Sequence, residues 1–223
     1  MKFVCIEEKL NLAAVFYGSG LHIVIGAYGG IGSALSRRLA KKGANLLLAG
    51  RDEVRLASLA AELGAQTFAL DASNVRQVEL CMKQVLELFG PVSGVANCVG
   101  SLLRKPAHLL TEEEWDVTIA TNLKSAFAVV RGAAITMSQQ GGSVVLVSTA
   151  AARIGLAKHE TISAAKAGIE GLALAAAASY ASKSIRVNFV APGMTRTPLT
   201  TKLLRNEMMA KASAGMRALG RVG

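Results

Sequence analysis

The chain has 223 residues, a formal net charge of +10, 52% hydrophobic residues and only 4% aromatic ones. That length is generous for one domain and short for two, and the composition leaves Ala, Leu, Val and Ile to build the interior. No apolar run approaches the roughly 18 residues of a membrane span, so no membrane partner is expected.

The basic residues are scattered. Arg37, Arg38, Lys41 and Lys42 share one stretch, and Lys202, Arg205, Lys211, Arg217 and Arg221 lie near the end. Without aromatic interleaving they read as solvated helix faces, and nucleic acid is not expected as a partner. The charge also suits a polyanionic small molecule. Cys5, Cys81 and Cys98 are odd in number, far apart and in apolar settings. They read as buried thiols rather than disulfides or a metal site, which implies a reducing cytoplasm.

In chain order, residues 1–19 read as an N-terminal extension. Two glutamates interrupt them, and no compact apolar segment of a secretory signal follows. From residue 20 to 223 the chain reads as a single domain. Strand-length apolar runs fall at Leu21–Gly26, Ala44–Ala49, Ala65–Leu70, Val92–Cys98, Ser143–Ser148 and Ile185–Val190. Near-continuous hydrophobicity is the mark of parallel strands covered on both faces. Helical stretches lie between them near 31–42, 53–63, 74–89, 111–138 and 159–182. Thr111 followed by Glu112, Glu113 and Glu114 reads as a helix start, a capping hydroxyl and then acids in the positive first turn. The alternation predicts an α/β fold, a doubly wound parallel sheet with helices on both faces.

After the first strand comes GAYGGIG, residues 26–32. Glycines there permit a tight turn and close backbone approach, and the following helix start favours an anion. Gly26, Tyr28, Gly30, Ile31 and Gly32 are therefore candidate dinucleotide contacts. The second strand ends Ala49-Gly50-Arg51-Asp52. An acid at that tip would hold the ribose hydroxyls of NAD. Here Gly50 leaves room and Arg51 offers a guanidinium, which favours NADP(H) over NAD(H) through a charge-assisted bond of about 1.5–3 kcal/mol. Asp52 instead pairs with Arg51 or caps the next helix. Asp71, after the third strand, accepts from an adenine amino group or serves as an ordinary turn residue.

Asn97-Cys98-Val99-Gly100, Asn122, Val147-Ser148-Thr149, Lys166 and Pro192-Gly193 follow in one order. From about residue 20 to the end, the chain resembles the short-chain dehydrogenase/reductase (SDR) family. The resemblance implies a Rossmann-type fold with strand order 3-2-1-4-5-6, bound NAD(P)(H), and hydride exchange between an alcohol and a carbonyl. It implies that Asn97 to Gly100 lie beside the adenosine ribose and that Asn122 holds a relay water. It gives Lys166 the nicotinamide ribose, and sets Pro192, Gly193 and Thr195 at the nicotinamide and its carboxamide. Relatives continue past Gly223 into a helix and a seventh strand, so a C-terminally short domain lacking that strand is expected.

The family pattern is Tyr-x-x-x-Lys with a serine thirteen residues before the tyrosine. Here Ile162 stands at the tyrosine position and Thr149 at the serine position, with Ser148 adjacent. Thr149, with or without Ser148, is the expected carbonyl ligand. The proton comes from water ordered by Asn122 and Lys166, or from His159. His159 lies about two turns before Lys166 on the same helix face, where capping or packing is its bland role. The substrate pocket is expected around 101–109, 150–158 and beyond 194. Leu102, Leu103, Ile154, Leu156, Met194 and Leu199 would line it, and Arg104, Lys105 and Arg153 would be either anion contacts or solvated. Two functions stay open: an NADPH-favouring reductase of a carbonyl/alcohol pair, or a catalytically impaired NADP(H)-binding sensor or partner subunit. Either is expected to be a homodimer through the helices near 111–138 and 159–182.

Overall fold

β1 (Leu21–Ile25) is buried at every position and sits in the middle of the sheet. In this computed structural model, which describes residues 20–215 and 220–223, the six strands are parallel in the order β3-β2-β1-β4-β5-β6. The others are β2 (Asn45–Gly50), β3 (Gln66–Ala69), β4 (Val92–Asn97), β5 (Gly142–Val147) and β6 (Ile185–Val190). The expected extension over 1–19, with Cys5, lies outside the described residues. β3 and β6 are the two edges among the described residues. β3 is largely exposed, so its short apolar run is not the doubly covered strand that the sequence suggests.

Successive strand residues face opposite sides, and the core divides accordingly. Ile23, Ile25, Leu47, Ala49, Val95, Val144 and Leu146 face one layer. That layer is completed by α3 (Val75–Phe89), α5 (Ser125–Thr136) and α6 (Glu160–Tyr180), through residues such as Met82, Val129 and Ile169. Val24, Leu46, Leu48, Ala96 and Val145 face the other layer, with Leu35 and Leu39 of α1 (Gly30–Lys41) and Leu56 and Leu59 of α2 (Glu53–Leu63). Each buried Leu, Ile or Val contributes about 1.5–3 kcal/mol. The side-chain alternation of the strands therefore sets both layers at once.

Local signals explain the boundaries. Asp52 caps α2 by accepting from the Arg55 amide at 3.0 Å, which settles its alternatives in favour of the cap. Asn74 does the same for α3. Thr111 and Glu114 form a capping box at α4 (Glu112–Ile119). The long helix expected over 111–138 is interrupted. Between α4 and α5 lies a π-helical segment, Ala120–Lys124. Asn122 donates from Nδ2 to the Thr118 carbonyl at 2.9 Å, and Ser125 Oγ donates to the Thr121 carbonyl at 2.8 Å. Such side-chain bonds compete with the backbone ladder, and π-bulges recur at functional sites. After β6 the chain forms two short helices, α7 (Thr201–Leu204) and α8 (Glu207–Gly215).

Candidate active site

The loop between β1 and α1 closes tightly on itself. Gly26 has φ +78°, and a Cβ there would meet the Val99 amide nitrogen at 2.9 Å; one at Gly32 would lie 2.2 Å from the Gly26 carbonyl. Both positions require glycine. The first turn of α1 carries no acid and no side-chain cap, so its amides remain available to an anion. A Cβ at Gly30 would lie 2.6 Å from the Thr197 side chain, so the segment after β6 lies against this loop. Ile31 packs on the α1–α2 side of the sheet.

At the tip of β2 the room beside Gly50 belongs to Tyr28. A Cβ on Gly50 would lie 2.6 Å from the Tyr28 ring, which corrects the expectation that this space was left for a cofactor. The Arg51 amide donates to Tyr28 Oη at 3.3 Å. Arg55, which the sequence reading missed, stacks its guanidinium 4.5 Å from the ring centroid and donates to the Tyr28 carbonyl at 3.1 Å. Its place four residues after Arg51, on the first turn of α2, was the available signal. Asp71 folds back as a turn residue, accepting from the amide and hydroxyl of Ser73 at 2.9 and 2.8 Å. Partial burial pushes its carboxyl up, but the Ser73 bonds and the charges of Arg51 and Lys124 outweigh this and hold its pKa below the usual value.

Asn97 is a brace rather than an open contact. Buried at the end of β4, it donates to Ser125 Oγ and accepts from the Val99 amide, both at 3.1 Å. Gly100 is where the site converges. A Cβ there would lie 3.1 Å from Asn122 Oδ1 and 3.4 Å from Lys166 Nζ. Asn122, fully buried in the π segment, donates to Ser101 Oγ at 2.9 Å and accepts from the Ser101 amide at 3.2 Å.

Lys166 is 6% exposed, and its ammonium donates to the Val147 carbonyl at 2.8 Å. That is its one acceptor among the described residues, so two N–H groups are unspent. Burial lowers its pKa to about 8, opposed by the Cys98 thiol. Burial pushes Cys98 in turn up to about 12, against the pull of Lys166.

Ser148 does not face this space. Its hydroxyl lies between the Lys166 carbonyl at 3.0 Å and Glu170 Oε1 at 2.8 Å. With its one proton drawn to these two acceptors, Ser148 is corrected from carbonyl ligand to structural link. Thr149 Oγ1 caps the 3-10 turn Ala150–Ala152 by accepting from the Ala151 amide at 3.3 Å, and makes a long 3.4 Å bond to the Pro192 carbonyl. It is the less committed hydroxyl. Pro192 also accepts from the Ala150 amide at 3.0 Å. Thr195 Oγ1 donates to the Gly193 carbonyl at 3.1 Å, and Thr200 Oγ1 donates to the Thr195 carbonyl at 2.6 Å, so the segment after β6 is knitted to itself.

Ile162 is 3% exposed on the buried face of α6. His159 occupies the N-cap position but makes no capping bond. Its Nδ1 instead pairs with the Ala157 carbonyl at 2.8 Å, which leaves Nε2 as the acceptor of the neutral ring. The preceding Lys158 has φ +66°, an uncommon conformation for a side-chain-bearing residue. Lys105 pairs with Glu114 at 2.7 Å, and Arg153 pairs with Glu170, so neither is simply solvated. Glu170 is the other functional candidate that the sequence reading missed. Its signal was a lone charge in the apolar stretch 167–182.

The residues fit a bound dinucleotide. The glycine cradle, the uncapped α1 start and the buried ammonium with unspent donors lie at one end of the sheet. A family profile described as enoyl-(acyl carrier protein) reductase matches residues 26–223. A (3R)-3-hydroxyacyl-CoA dehydrogenase from Canis lupus familiaris is 32% identical over 92% of this chain and 84% of its own length. The solved actinorhodin polyketide ketoreductase with NADPH is 26% identical, with a TM-score of 0.83 over 92% of this chain and 85% of that one. A short-chain type dehydrogenase/reductase from Mycobacterium ulcerans is 25% identical, with a TM-score of 0.89 over 93% and 79%. With the sheet order, the glycine-rich loop after β1 and these likenesses together, the chain belongs to the short-chain dehydrogenase/reductase family.

Proposed function

We propose that the chain is an NADPH-favouring oxidoreductase of a carbonyl/alcohol pair, working in a reducing compartment. The observation that carries this reading is the buried Lys166 ammonium beside Gly100 and Asn122, with two N–H groups unspent. NADPH, when bound, supplies the hydride. Lys166 holds the nicotinamide ribose, the glycine loop and the α1 start hold the pyrophosphate, and Arg51 holds the 2′-phosphate. Pro192, Gly193 and Thr195 border the nicotinamide. Thr149 donates its hydroxyl to the substrate oxygen. The proton reaches that oxygen through water ordered by Asn122 and Lys166, or from His159. The hydroxyacyl-CoA dehydrogenase and ketoreductase likenesses make a 3-oxoacyl thioester the first substrate to try.

A second reading rests on Ile162. With an isoleucine at the expected donor position, the chain is a cofactor-binding sensor or partner subunit that turns over little. Fluorescence titration with NADPH and NADH, followed by NADPH oxidation in the presence of a 3-oxoacyl thioester, separates the cases. NADPH should bind roughly ten- to a hundredfold more tightly than NADH, and Arg51→Ala should remove the difference. Equal affinities in the unmodified protein overturn the NADPH assignment. Binding without oxidation on any carbonyl selects the second reading.

A further inference from the structure

Lys166 and Glu170 are the one buried lysine and the one buried acid among the described residues, 6% and 2% exposed. They stand one turn apart on α6, the spacing at which helical side chains meet. In a weakly screened interior an ammonium and a carboxylate so placed attract strongly. Yet they do not pair. Lys166 is bonded to the Val147 carbonyl. Glu170 takes the Ser148 hydroxyl on one oxygen and the Arg153 guanidinium, through Nε and Nη2, on the other. Arg153 comes from the turn after β5, which Ser163 also ties to α6 through the Ala151 carbonyl at 3.3 Å.

We infer that Arg153 is a positioning residue. By occupying Glu170 it prevents that carboxylate from capturing Lys166, and so keeps the ammonium at Val147 and Gly100, where a cofactor ribose would be held. This rests on the cofactor role proposed for Lys166. The groups around the ammonium are Cys98 at the end of β4, Asn122 in the π segment and the Val147 carbonyl on β5; Glu170 lies one turn further along the same helix, held by Ser148 and Arg153. Among these Glu170 is the only anion. Removing Arg153 leaves it with Ser148 as its sole remaining partner among the described residues, and Lys166 is the one lysine or arginine on the same helix.

The test follows the titration of Lys166 directly, by NMR of protein carrying 13C-labelled lysine, with Lys166→Met identifying the resonance. The unmodified protein should titrate near 8. Arg153→Met should raise that midpoint by roughly 1–3 pH units, as a new opposite charge does. It should also weaken NADPH binding roughly tenfold or more. The double variant Arg153→Met/Glu170→Met should bring both back toward the original values, as should Arg153→Lys. A merely structural bridge predicts the opposite for the double variant, which would be no better than the single one. Should the methionine variant fail to fold, Arg153→Gln removes the guanidinium charge, leaves the carboxylate without a cationic partner and carries the same expectation. An unchanged Lys166 midpoint in Arg153→Met or Arg153→Gln, or no recovery in the double variant, overturns the inference. Failure of the unmodified protein to bind NADPH would instead overturn the cofactor reading and leave the titration result standing.

Discussion

Ile162 and Lys166 share the buried face of α6, and only the lysine can handle a proton. Replacing Ile162 with tyrosine puts a phenol one turn before the ammonium, which lowers its pKa from the reference value of about 10. The larger ring enters a site only 3% exposed, so about 1–3 kcal/mol of stability should be lost to overpacking. In return, turnover of a 3-oxoacyl thioester with NADPH should rise by up to roughly 10²–10⁴. A folded, NADPH-binding Ile162→Tyr variant with no gain on any carbonyl would sink the idea of a reductase lacking only its phenol. His159→Ala in the original background should abolish residual activity if the imidazole donates the proton, and spare it if water does. At this scale the sequence was informative about identity but not direction. Lys166 and Asn122 were legible because their residue types and order are distinctive. The inward turns of Asn97 and Ser148 were not, because a hydrogen-bond partner such as Ser125 or Glu170 is a neighbour only in space.

The strands β1, β2, β4 and β5 were legible as elements because their interiors are largely apolar on both faces, and the helix starts because Asp52, Asn74 and Thr111 are capping residues. The break between α4 and α5 was not legible. Residues 111–138 contain no proline, and the distortion coincides with side-chain bonds of Asn122 and Ser125 to carbonyls one turn back. β1 hides a further property. His22 is 1% exposed in this strand, and burial lowers its pKa, against the Gly20 carbonyl that raises it. The unfolded chain therefore binds a proton, near its ordinary value of about 6.5, at pH values where the folded chain does not. Stability that His22 leaves intact above that value should fall as the pH drops through it towards the lower folded value. Thermal melts between pH 8 and pH 5 should slope downward on the acid side, and His22→Asn should flatten that slope. An identical slope in both proteins would remove His22 as its source.

For the whole molecule, the outer faces of the helices near the site carry large exposed apolar residues. Trp115 and Val117 on α4, Phe127 and Ile135 on α5 and Leu174 on α6 are each more than 40% exposed. An apolar surface of this kind marks an association face, and we propose a homodimer formed there. Sedimentation velocity at micromolar concentration should give a dimer, and Phe127→Glu with Leu174→Glu should give monomers; a monomeric parent protein excludes it. The order of strands has a consequence in time as well as in space. β2 and β3 extend the sheet from one side of β1, but the other side of β1 waits for β4. A nascent chain must therefore carry one unpaired edge of β1 until residues 92–97 leave the ribosome. After that β5 and β6 each find their pairing edge already made. While β4 has still to emerge, the unpaired side of β1 is open to wrong pairing, which is the kind of exposure that chaperones cover.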